Sequence, residues 1–197
     1  MRCRYDEQVA QYRCAQSGEY VCLEHVRMEI VSVGARVSLP PLPVRRAQAS
    51  DYPIIKELAL TYWGETEIHC FNRTYDVLTL PAMLALSDDA VAGVLSFALE
   101  QDRVNIVMLN VHPEYQGRRT ARLLLAAVEG HAREERLSKL AVATTNDDLP
   151  ALYLYQRWGF VISEVKPGVV LTHHGREELG FASIPVRDEI RLEKRLT

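Results

Sequence analysis

Residues 104–136 place the tightest limit on what this chain can become. An apolar, β-branched run at 104–111 passes through His112-Pro113-Glu114-Tyr115-Gln116-Gly117-Arg118-Arg119. It then enters a helical period marked by Leu123, Leu124, Ala127, Val128 and Ala132. A strand that turns directly into a helix aims the helix's unpaired N–H groups and the positive end of its dipole at the turn. Such an end takes phosphate. Arg118 and Arg119 add full positive charges, so the turn is built to hold a pyrophosphate.

The rest of the chain supplies a sheet to carry that turn. Residues 44–47 read as a strand, and Ser50 or Asp51 caps a helix bearing Ile54, Ile55, Leu58 and Leu60. Runs 91–99 and 104–111, joined by the polar residues 100–103, predict an antiparallel pair. A strand at 139–144, a helix at 150–158 and a strand at 161–165 follow. Residues 190–196 alternate apolar and charged, as a half-exposed terminal strand would. The order predicts a mixed α/β sheet with helices between strands. Leu39-Pro40-Pro41-Leu42-Pro43 is stiff and poor in donors, so 39–43 is read as a linker between a segment at 1–38 and a domain at 44–197.

The stretch Gln116-Gly117-Arg118-Arg119-Thr120-Ala121 resembles motif A of the GNAT acetyltransferases, with Arg119 standing at the motif's central glycine. Asn146, followed by Ala151-Leu152-Tyr153-Leu154-Tyr155-Gln156-Arg157-Trp158-Gly159-Phe160, is similar to motif B. Arg46-Ala47, with Asp51 and Ile54 or Ile55, is like the family's opening strand and helix, so the resemblance spans about 44–165. It implies the GNAT fold, a mixed and mostly antiparallel central sheet flanked by helices. It also implies N-acetyl transfer from acetyl-CoA to a primary amine by direct attack, in a cleft where strands 104–111 and 139–144 part.

On this resemblance, the backbone of Leu109, Asn110 and Val111 meets the thioester carbonyl, and Gln116, Gly117, Arg118, Arg119, Thr120 and Ala121 hold the pyrophosphate. Arg119 points outward or toward phosphate. Tyr155 matches the tyrosine that protonates the leaving thiolate, its alternative being a helix-packing role. Asn146 faces the pantetheine arm or caps a helix. Glu67 is the leading general base, with Glu65, Glu100, Asp188 and Glu189 as rivals. The long segment 165–184, with His173-His174, forms either an acceptor lid or an exposed loop.

Three of the four cysteines lie in the first 25 residues. Cys22 and His25 have the knuckle spacing of a zinc pair, and Cys3 and Cys14 complete a Cys3His set, with Asp6 as rival fourth ligand. The segment resembles small treble-clef or B-box-like zinc modules, and four protein ligands imply a structural zinc. Cys70, beside His69, reads as a packing residue.

Hydrophobic residues make up 48% of the chain and charged residues 25%, enough to bury a core without disulfides. The net charge of -3 gives no electrostatic footprint for nucleic acid. No apolar run reaches the length of a membrane span or a signal peptide, so a cytoplasmic location is expected. The amine acceptor is not named by these residues, and the terminal strand offers an edge for a homodimer. Two other readings stand beside catalysis: a non-catalytic acetyl-CoA-binding module, and a zinc-tethered adaptor for protein or RNA.

Overall fold

Long apolar strands in the middle of the chain set the architecture. In the computed structural model, residues 42–88 and 90–196 are described, together with a strand pair nearer the N-terminus. That pair is β1 (Tyr12–Arg13) and β2 (Tyr20–Val21), antiparallel. Then come β3 (Val44–Arg46), α1 (Tyr52–Trp63), β4 (Glu67–Cys70), β5 (Arg73–Asp76), β6 (Ala82–Ser87), β7 (Ala90–Leu99) and β8 (Arg103–Val111). The second half holds α2 (Thr120–Glu134), β9 (Lys139–Thr145), α3 (Leu149–Arg157), β10 (Val161–Lys166), α4 (Val169–His174), β11 (Glu178–Leu179), β12 (Pro185–Val186) and β13 (Glu189–Arg195).

Seven strands form one sheet in the order β10-β13-β9-β8-β7-β6-β3. Only β8 and β9 run parallel, and α2 is their crossover. The expected mixed, mostly antiparallel sheet is therefore present. On one face Leu124, Leu125 and Val128 of α2, with Phe160 just after α3, pack against Leu95, Phe97, Ile106 and Leu192. On the other face α1 and the β4–β5 hairpin bury Ile55, Leu58, Ile68 and Tyr75 against Leu84, Val94 and Met108. Such two-sided burial suits the near-continuous apolar runs of β6 to β8.

The start of α1 is tied rather than simply capped. Asp51 accepts from the Gln48 amide at 2.6 Å and from Arg45 at 2.6 and 2.8 Å, which joins β3 to the helix. At the other end of the chain the structure corrects an expectation. The terminal strand is half-buried, as its alternation implies, but it does not lie at an edge, because β13 inserts between β9 and β10 and bonds to both. Leu192 at its centre is wholly buried. The edge expected for a homodimer is thus occupied within the chain. Among the described residues, no helix is long and apolar enough to cross a membrane.

Candidate functional site

β8 and β9 stay in register from Arg103↔Lys139 to Ile106↔Val142 and then part. The break coincides with a bulge. Ser96 pairs with Met108 and Phe97 with Ile106, which leaves Val107 as an extra residue in β8. The bulge bends β8 away from β9, so Val107–Val111 and Ala143–Thr145 line a gap rather than a ladder. Past the bulge, the His112 amide donates to the Ala92 carbonyl at 2.9 Å. With that register the amides of Met108 and Asn110 turn toward β7, and those of Leu109 and Val111 turn into the gap. Of the three residues expected to meet a thioester, Asn110 thus has its amide consumed by the sheet. Its side chain instead accepts from the Trp63 indole at 2.9 Å, and its Nδ2 is buried with no partner among the described residues.

The turn into α2 adjoins this gap. Gly117 has φ +73°, the left-handed region that glycine takes without strain. Arg119, at the motif's glycine position, also sits there, with φ +65°. The backbone geometry that a glycine would favour is therefore kept by an arginine. Among the described residues, no carbonyl accepts from the amides of Thr120, Ala121 or Arg122, and the first backbone bond of the helix runs from Leu123 to Arg119 at 3.1 Å. The Thr120 hydroxyl donates back to the Tyr115 carbonyl at 2.9 Å, and the Gln116 side chain donates to the Val111 carbonyl at 3.3 Å. The turn is braced from within, and the amides of Thr120, Ala121 and Arg122 are left without a carbonyl partner among the described residues. Arg118 lies over the Tyr115 ring at 5.3 Å.

A cavity of about 320 Å³ opens where the strands part. Its inner wall is Val107, Ala143 and Thr144, and its outer walls come from Trp63 at the end of α1 and Glu65 beyond it, from β4, and from α4. The segment expected as a lid thus supplies one wall. The His173 ring on α4 stacks on His69 of β4 at 4.5 Å. Cys70 faces the same space with its thiol pushed up to about 12 by burial and the nearby Glu189 carboxylate, so it is a poor nucleophile.

The structure sorts the acidic candidates. Glu189 lines the cavity, buried, and accepts from the Phe71 amide at 3.3 Å and from Arg191. Glu65 lines it at the rim. Glu67 is exposed on β4 and lies outside the cavity wall. Glu100 is bound by Arg73 at 2.8 Å and Tyr75 at 3.2 Å, and Asp188 accepts from the Gly168 amide. Asp148 was missed. It heads α3 by accepting from the Ala151 amide at 3.1 Å, binds the Thr144 hydroxyl, and lines the cavity with its pKa raised by burial. The Asp-Leu-Pro start of the helix carried the signal for it.

Asn146 caps no helix. Its oxygen accepts from the amides of Arg187 and Asp188 and its nitrogen donates to the Pro185 carbonyl, which clamps the approach to β13. Tyr155 is buried on α3 with its ring 5.6 Å from Phe160, and burial pushes its hydroxyl pKa well up. It does not line the cavity. Cys3, Cys14, Cys22, His25 and Asp6 lie outside the described residues. Among those described, no three acidic, cysteine or histidine side chains converge as a metal site.

Comparison with known proteins agrees with this geometry. The chain is 29% identical over 140 residues to the uncharacterized protein YxbD of Bacillus subtilis, covering 68% of this chain and 87% of that one. An IAA acetyltransferase from Bacillus cereus superposes with a TM-score of 0.67 at 24% identity, covering 79% of this chain and 99% of the other. A GNAT family acetyltransferase from Elizabethkingia anophelis with acetyl-CoA bound superposes at 0.62 and 20% identity, covering 80% of this chain and all of the other. The two superpositions establish a common fold. A sequence model of the acetyltransferase (GNAT) family matches residues 46–160, more than half of the chain, and the chain belongs to that family.

Proposed function

We propose that this acetyltransferase moves the acetyl group of acetyl-CoA onto a primary amine by direct attack, without an acyl-enzyme. The observation that carries the reading is the parting of β8 and β9 after Ile106 and Val142, beside the open end of α2 and a cavity. In this reading the pyrophosphate rests on the amides of the turn, with Gln116, Gly117, Arg118, Arg119, Thr120 and Ala121 around it. The amides of Leu109 and Val111 meet the thioester oxygen as negative charge develops there. Acetyl-CoA bound to a solved protein of the same fold supports the cosubstrate.

Two protons must move. An amine with a pKa near 10 gives one up as it attacks, and the departing sulfur takes one. Glu189 is assigned the first step in place of Glu67, and its burial in the cavity wall supports that choice. Tyr155 is assigned the second. Its match to the motif B tyrosine supports that role, and a tyrosine hydroxyl is protonated near neutral pH, as a proton donor requires. The division into a zinc-holding segment at 1–38 on Cys3, Cys14, Cys22 and His25, a linker at 39–43 and a catalytic domain at 44–197 belongs to the same proposal. Metal analysis of the purified chain tests its first part, with one zinc per chain expected.

Calorimetric titration of acetyl-CoA into the full chain, followed by CoA release with simple amines, tests the reaction. Micromolar binding with amine-dependent CoA release supports it. No detectable binding overturns it.

A further inference from the structure

The cavity wall says something about the acceptor, on the footing of the reaction proposed above. Among the described residues, no lysine or arginine lines the cavity, whereas Glu65, Asp148 and Glu189 do. Two of these three are already engaged: Glu189 by Arg191 and the Phe71 amide, Asp148 by Thr144 and the Ala151 amide. Glu65 has no hydrogen bond or ion pair among the described residues, so its charge is free for a ligand. Two residues before it stands Trp63, whose indole N–H is pinned to Asn110 at 2.9 Å while 42% of the residue remains exposed. A fixed aromatic face beside an unpaired carboxylate is an arrangement that holds a cation. The cavity is near the small end of ligand pockets, and Ile68, Val169 and Val170 make much of its wall apolar.

The attacking amine cannot be that cation. At the moment of attack it is a free base, so an ion pair to it would be lost on the way to reaction. A second amino group keeps its charge throughout. It also lowers the pKa of its neighbour by like-charge repulsion, which raises the fraction ready to react. We propose that the acceptor is a small diamine-type molecule with two amino groups joined by a short apolar body. Its distal ammonium lies between the Trp63 face and Glu65, and the other amine reaches the gap at Val107. The reacting nitrogen bonds to the thioester carbon and the C–S bond breaks. One proton passes from nitrogen to Glu189 and one from Tyr155 to sulfur. An amide and a thiol result.

The test compares 1,4-diaminobutane with n-butylamine, by calorimetry on the full chain loaded with CoA and by CoA release from acetyl-CoA. The diamine is expected to bind at least ~10-fold more tightly. Trp63→Ala and Glu65→Gln are each expected to remove most of that preference. Glu65 is exposed, so its substitution is readable even if the Trp63 variant folds poorly. Equal binding of the two amines overturns the inference, as does a preference that survives Glu65→Gln. A lysine-containing peptide that outcompetes the diamine overturns it too, in favour of a protein acceptor. A diamine preference with no CoA release from any amine upholds this site and overturns the proposed reaction instead.

Discussion

Gly93 lies directly against Asn110: a Cβ there would stand 2.9 Å from the Asn110 carbonyl oxygen and 3.2 Å from side-chain atoms of both Thr120 and Leu124. This contact sets how closely the start of α2 approaches the sheet where β8 leaves β9. Gly93→Ala must push backbone rather than a flexible side-chain tip. It is expected to destabilise by about 1–3 kcal/mol and to lower Tm by roughly 2–4 °C per kcal/mol. Thermal unfolding reads this, and an unchanged Tm would mean that the helix yields freely.

Arg119 holds a left-handed conformation at the N-cap of α2. Relieving that strain with glycine gains ~1 kcal/mol, of which ~0.5 is lost to the freer unfolded chain. Arg119→Gly is therefore expected to stabilise by about 0.5 kcal/mol, seen as a higher urea midpoint. Its acetyl-CoA affinity should stay within about threefold, because the amides and helix end provide the phosphate contacts. A loss beyond tenfold would assign the guanidinium itself to the phosphate.

Tyr155 is packed among apolar groups, so Tyr155→Phe keeps the ring and removes only the hydroxyl. Turnover should fall about 10²-fold with acetyl-CoA affinity unchanged. Steady-state kinetics beside calorimetry separates the two, and an unchanged kcat would leave Tyr155 as a packing residue.

For Glu189, the glutamine variant keeps shape and removes the proton acceptor. Arg191 retains Glu164 at 2.8 Å and Asn72 at 2.9 Å, so the change should leave no stranded cation. A loss of about 10²-fold in kcat with a near-native Tm is expected. Full activity in Glu189→Gln would return the question of the base to Glu65 and solvent.

The Arg45 guanidinium, and after it the Gln48 amide, hold the Asp51 carboxyl down at about 2. A lowered folded-state pKa gives stability that is fully present above the unfolded value near 4. It is lost as pH falls through about 2. Asp51→Asn should thus be less stable than the parent at pH 7, and the gap should close between pH 4 and pH 2. Denaturation midpoints across that range check it. A gap that persists at pH 2 would mean that packing, not charge, sets the difference.

Much of the scaffold could be read from residues that act locally. The apolar runs of β7 and β8, the helical period of α2, and the small cationic turn between them follow from side-chain spacing alone. Strand β6 and the β4–β5 hairpin went unread, because Ala-Met-Leu-Ala-Leu-Ser has no alternation and Glu-Ile-His-Cys is too short to show a period. Asn146 was picked out from its place before a helix, but its clamp on β13 could not be read locally, since its three partners lie 39–42 residues away.

By itself, then, the sequence determined the strand–turn–helix unit that presents unpaired amides, and the family to which such a unit with its downstream tyrosine helix belongs. Both depend on neighbours within a few turns of chain. Tertiary structure alone decided which carboxylates line the cavity, that β13 fills the sheet instead of edging it, and that Trp63, Glu65 and α4 share its wall. Those choices come from contacts between residues far apart in the chain, where register, a single bulge at Val107 and close helix packing outweigh any local preference.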